Sequence, residues 1–170
     1  MISMERHPLS LRAAWIQASP PFYAPFWSAC SNGRLQEVRV LAHIGADLEE
    51  VGGHDQCTPL FAAVCRRHEE VVEFLLNKKV DVQSKNKYGN TPLHVACASG
   101  FGSDAIIKLL LANGAKCDVK NNTGETPAHY AAHSGQPSSL KTLIFSGADA
   151  TITDNKGFTV LTGRNCNCLS

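Results

Sequence analysis

Thr58-Pro59-Leu60-Phe61-Ala62-Ala63, Thr91-Pro92-Leu93-His94-Val95-Ala96 and Thr126-Pro127-Ala128-His129-Tyr130-Ala131 are three copies of one hexapeptide, with starts 33 and 35 residues apart. A period of this length marks a stacked array, because one such unit is too small to bury its own apolar face. Working outward, a weaker copy stands at Ala24-Pro25-Phe26-Trp27-Ser28-Ala29, 34 residues before Thr58, and another at Thr159-Val160-Leu161-Thr162, 33 after Thr126. Thr caps a helix through its hydroxyl, and Pro, with φ fixed and no N–H to satisfy, suits the first helical position, so each Thr-Pro opens a helix. A second apolar run follows in every unit: Val38-Arg39-Val40-Leu41, Val71-Val72-Glu73-Phe74-Leu75-Leu76, Ile106-Ile107-Lys108-Leu109-Leu110-Leu111 and Leu140-Lys141-Thr142-Leu143-Ile144. Each is too short to be helical alone and has to pack against its neighbours. Gly45, Gly114 and Gly147 come next, where a left-handed residue ends a helix; Lys79 breaks the rule in the second unit.

Motif, period, second apolar run and terminal glycine together resemble the ankyrin repeat over the whole chain apart from the first 23 residues. The resemblance implies an all-α solenoid of helix-turn-helix units joined by β-hairpin-like loops, about four full repeats plus a partial last one. The units fall at 24–57, 58–90, 91–125, 126–158 and 159–170, and the third holds a two-residue insertion within Phe101-Gly102-Ser103-Asp104-Ala105. Residues 1–23 are expected to carry a capping helix, from Ser10 followed by Leu11 to Ala18, ahead of Pro20 and Pro21. The family motif further implies that His94 and His129 brace the turn before their helix. Cys30 and Cys97, seventh in their units, are expected to pack between helices.

Binding residues of the family lie just before each motif and toward the end of the first helix. Carried over, the hairpin tips are His54, Asp55 and Cys57; Lys87, Tyr88 and Asn90; Asn122, Thr123 and Glu125; and Asn155, Lys156 and Phe158. Cys65, Arg66, Ala98, Ser99 and His133 are expected to line the same slightly concave side. Tyr88 is the anchor candidate, since an exposed aromatic offers much contact area at low entropic expense.

Composition narrows the function. With 16 Lys and Arg against 15 Asp and Glu, a net charge of +1 supplies no field for nucleic acid. No apolar run approaches the roughly 20 residues of a membrane span, and Glu5, Arg6, His7 and Arg12 interrupt any signal-peptide core. Seven cysteines without paired CxxC spacing read as free thiols, which points to the cytoplasm or nucleus. GxSxG, HExxH and phosphate-loop patterns are absent from the sequence, so the reading is a non-enzyme with no catalytic residues, no cofactor and no metal site. The expected function is a protein–protein interaction module acting as adaptor, scaffold or stoichiometric inhibitor, monomeric alone, with an unidentified protein partner. Two alternatives stand beside it. One is a metal- or redox-responsive regulator using Cys166 and Cys168, with Cys57 or Cys65; the other is the targeting portion of a longer enzyme or ubiquitin-ligase receptor.

Overall fold

A computed structural model of the chain describes residues 25–98 and 104–162. The capping-helix segment 10–18, insertion residues 101–103, Ser99, Cys166 and Cys168 lie outside the described residues. The described residues form eight helices in four antiparallel pairs: α1 (Pro25–Ser31) with α2 (Leu35–His43), α3 (Pro59–Cys65) with α4 (Glu69–Asn77), α5 (Pro92–Ala96) with α6 (Asp104–Ala112), and α7 (Pro127–His133) with α8 (Pro137–Phe145). Asp104 and Ala105, read from sequence as part of an inserted turn, are the first residues of α6. Pro137 opens α8 at its first turn, as its missing N–H allows.

First helices pack on first helices (α1 on α3, α3 on α5, α5 on α7) and second helices on second helices, so the pairs stack as two parallel layers. Two isolated bridges, Gly52 with Cys57 and Thr153 with Thr159, tie hairpin bases among the described residues. The shared core runs the length of the array through Phe26, Leu60, Leu93 and Ala128, then Val38, Val72, Ile107 and Leu143. Small side chains let the layers approach: Cys30 and Cys97 are fully buried between helices, and burial pushes the Cys30 thiol up to about 12. At the last unit the pattern lapses. Val160 is buried, but Leu161, in the place of buried Leu60 and Leu93, is 53% exposed.

The TPLH-type motif explains how each pair is oriented. In α5 the His94 Nδ1 accepts the Thr91 N–H at 3.1 Å and meets the Thr91 hydroxyl at 2.8 Å. An accepting Nδ1 places the ring proton on Nε2, which donates to the Glu125 carbonyl of the next hairpin at 3.1 Å. His129 repeats the arrangement with Thr126 and the Phe158 carbonyl. In the first unit Trp27 takes the place: its Nε1–H donates to the Cys57 carbonyl at 2.8 Å. Phe61, in the second unit, has no donor, so the Asn90 carbonyl has the Asn86 N–H at 3.0 Å, a backbone bond that the Cys57, Glu125 and Phe158 carbonyls also receive from Gly52, Asn121 and Asp154. The bracing role expected of both histidines is thus observed, and the Trp27 indole, which has no acceptor nitrogen, supplies only the bond to the next hairpin's carbonyl.

Second helices end as their sequence requires. Gly45, Gly114 and Gly147 have φ of 86°, 88° and 94°, and Lys79 adopts φ 62° at the same place. A side chain there is strained by about 1 kcal/mol relative to glycine. Lys79→Gly is therefore expected to raise the melting temperature by about 2–4 °C in a calorimetric scan; a fall would contradict the strain argument.

Candidate functional site

The four hairpin tips are joined to one another by their backbone. The N–H groups of Lys87, Asn122 and Asn155 donate to the carbonyls of Asp55, Tyr88 and Thr123, each at 3.1 Å. Side chains reinforce the register: Asn122 and Asn155 donate from Nδ2 to the carbonyls of Lys87 and Asn122 at 3.1 Å. Within the second, third and fourth tips an amide or carboxylate oxygen, of Asn86, Asn121 and Asp154, accepts the amides that follow it. Gly89 and Gly124 sit at positive φ, and a Cβ would besides lie 2.9 and 2.7 Å from the Asn122 and Asn155 backbone nitrogens, so both positions require glycine.

Lys87 is the busiest tip side chain. Its ammonium lies 2.8 Å from Asp55, donates to the His54 carbonyl at 2.9 Å, and stands 4.9 Å from the Tyr88 ring centroid. Hydrogen bonding from Lys87 holds the Asp55 carboxyl below its usual range, and the same bond holds Lys87 above its own. Both groups are solvated, so the pair sets geometry more than stability. Tyr88 remains 51% exposed.

A buried polar relay lies behind the tips. Asn90 Oδ1 accepts from Asn121 Nδ2 at 2.8 Å and from the Tyr130 hydroxyl at 3.1 Å. Asn121 also approaches the Tyr130 hydroxyl and the Glu125 carboxylate, which accepts from the Thr123 hydroxyl at 2.8 Å. Glu125 Oε1 stands 3.4 Å from His133 Nδ1. On the other side of the relay, Cys57, Phe61 and Val95 form a separate apolar cluster with Cys65 against it.

The residues expected to bind a partner fall into three groups. His54, Asp55, Arg66, Lys87, Tyr88, Asn122, Thr123, His133, Asn155 and Lys156 are exposed; Cys65, Ala98, Glu125 and Phe158 are half-buried. Cys57 and Asn90 are buried, so each shapes its tip from beneath, and Ser99 lies outside the described residues. Tyr130, which sequence reasoning did not single out, ties the tips together from the fifth place of its motif. The signal was there: Ala62 and Val95 hold that place in the preceding units, and only a long side chain with a hydroxyl reaches Asn90.

Burial decides what the thiols can do. Desolvation pushes Cys57 up to about 12 and Cys65 to about 11, so little thiolate, the reactive form, exists near neutrality. No group of three His, Cys, Asp or Glu among the described residues could hold a metal ion. No helix among them is long and apolar enough to cross a membrane.

A family pattern described as "Ankyrin repeats (3 copies)" matches residues 17–86 and 79–154. The chain is similar to the ankyrin repeat protein nuc-2 of Neurospora crassa, 35% identical over 92 residues, covering 54% of this chain and 8% of that protein. It is also similar to serine/threonine-protein kinase 12 of Arabidopsis thaliana, 33% identical over 86 residues, covering 51% of this chain and 18% of that protein. A third relative, the putative ankyrin repeat protein YahD of Escherichia coli, is 33% identical over 93 residues, 51% of this chain and 45% of YahD. The chain thus spans less than half the length of each of these three relatives.

Proposed function

The chain belongs to the ankyrin-repeat family, whose repeats are generally protein-interaction modules, and from that premise we propose that it is a non-catalytic adaptor, scaffold or stoichiometric inhibitor. It holds a partner protein on the side formed by the hairpin tips and first helices. The observation that carries this reading is the bracing of the tips: backbone bonds at 3.1 Å and the Asp55–Lys87 contact fix their geometry before any partner arrives. A platform already ordered avoids the entropy of ordering loops on binding, so contacts spread over several tips add to useful affinity. In this reading the partner is a protein and not nucleic acid, and the chain works as a monomer in the cytoplasm or nucleus.

The test is quantitative affinity capture from lysate with the wild-type chain and with Arg66→Glu/Tyr88→Ala, its fold checked by circular dichroism. Arg66 and Tyr88 are chosen because both are exposed, whereas Lys87 holds two tips together. A partner enriched by the wild type and lost with the folded variant supports the reading. Capture unchanged by the double substitution overturns this face as the site.

The likeness to 18% of the Arabidopsis kinase supports a second reading, in which the repeats direct an enzyme whose reaction lies in other sequence. Intact-mass measurement of the natural product distinguishes the two: a mass well above 18.3 kDa favours the second.

A further inference from the structure

In the second and fourth units the residue before the motif stands beside the last residue of the first helix that follows, and the chemistry of these neighbours differs. At the second unit the neighbours are apolar, Cys57 and Cys65 with Phe61 and Val95. At the fourth they are Glu125 and His133, 3.4 Å apart. Charge is divided unevenly too. The Asp55 carboxylate is met by the Lys87 ammonium at 2.8 Å, and Asp154 is turned to the amides of Lys156 and Phe158. Glu125 is held by a hydroxyl, an amide and the His133 ring, with its side chain 21% exposed. No lysine or arginine among the described residues lies within 4 Å of it.

Resting on the interaction-module reading above, we propose that the partner presents an extended segment with an apolar side chain over Cys65 and Ala98 and an arginine or lysine whose cation meets Glu125. Oε2 already accepts from the Thr123 hydroxyl and the Asn121 amide, so the cation meets Oε1, the oxygen that the His133 ring approaches at 3.4 Å. Neighbouring helices pack about 8–10 Å apart. The two steps from Cys65 to the Glu125–His133 pair therefore correspond to about five or six extended residues at roughly 3.3 Å each.

The test is selection of random twelve-residue peptides displayed on phage against the full chain. Fluorescence polarisation then follows, with a synthetic copy of the most enriched sequence. The expected peptides share an arginine or lysine about five or six residues from a leucine, methionine or phenylalanine. Glu125→Gln, which keeps the shape and removes the charge, should weaken binding at least tenfold, and Cys65→Arg should weaken it as well. Peptides without a basic residue, or a Kd that Glu125→Gln leaves within twofold, overturn the inference. Should such peptides still lose binding with Tyr88→Ala, the interaction-module reading stands while this inference falls. If no peptide is enriched over a blank surface, the extended-segment inference fails, and lysate capture decides the broader reading independently.

Discussion

His94 alone is expected to remove about 3 kcal/mol of stability as pH falls from 6.5 toward 4. The ring is fully buried, and desolvation lowers its pKa from 6.5 to about 4. Its Nδ1 is also committed to accepting the Thr91 N–H, so a proton there would face another N–H. Across that window the unfolded chain takes up a proton that the folded chain refuses. The contribution is fully present above pH 6.5, is lost progressively toward pH 4, and declines no further below. His94→Phe, which copies the aromatic native to the second unit, removes this titration. At neutral pH it costs about 2 kcal/mol, because the buried Thr91 N–H loses its partner and the Glu125 carbonyl is left with the Asn121 N–H alone. Urea midpoints at pH 7.5, 6.0 and 4.5 check both statements: the wild type's advantage over the variant should shrink as pH falls and be gone or reversed by pH 4.5. Parallel curves would show that His94 is not the group being titrated.

Leu93→Ala should have the other large effect, about 3 kcal/mol. Leu93 is fully buried in α5, whose neighbours are α3 on one side and α7 on the other. Stability in a stacked array is close to a sum over units and the junctions between neighbours, so a cavity in the third unit weakens two junctions at once. The consequence reaches beyond a lower midpoint. With the centre weakened, the pairs on either side unfold separately, and the single transition splits. In a Trp15→Phe background, which leaves Trp27 as the one tryptophan, urea unfolding followed by fluorescence, which then reports the first unit, and by far-ultraviolet circular dichroism, which reports all helices, should coincide with Leu93 present and separate in Leu93→Ala. Coincident curves with an unchanged midpoint would contradict the central place given to Leu93.

Much of the molecule was legible before any coordinates, for a specific reason. Thr58, Thr91 and Thr126 each precede a proline, and capping and first-turn preferences act within four residues of chain. Glycine at the end of a second helix is a local requirement too, and even the exception at Lys79 falls at positive φ. The bracing histidines followed from the resemblance of their motif to the family's, and the contact behind that motif is a local one, to a threonine three residues earlier.

Residue type alone did not reveal the state of the proposed binding surface. Asn90 looks in sequence like any polar turn residue, but it is buried because Tyr130, forty residues away, reaches it. Lys87 reads as a free cation until Asp55 and the His54 carbonyl come to it from the preceding hairpin. Glu125, near a histidine but no lysine or arginine, differs from Asp55 only through the neighbours that stacking supplies. The sequence by itself determined the period, the helix starts and ends and the array they form, because those depend on backbone preferences over a few residues. Only the tertiary structure decided which tip side chains are spent on their neighbours and which face solvent, because hydrogen bonds and burial between units join residues some 30 to 40 positions apart.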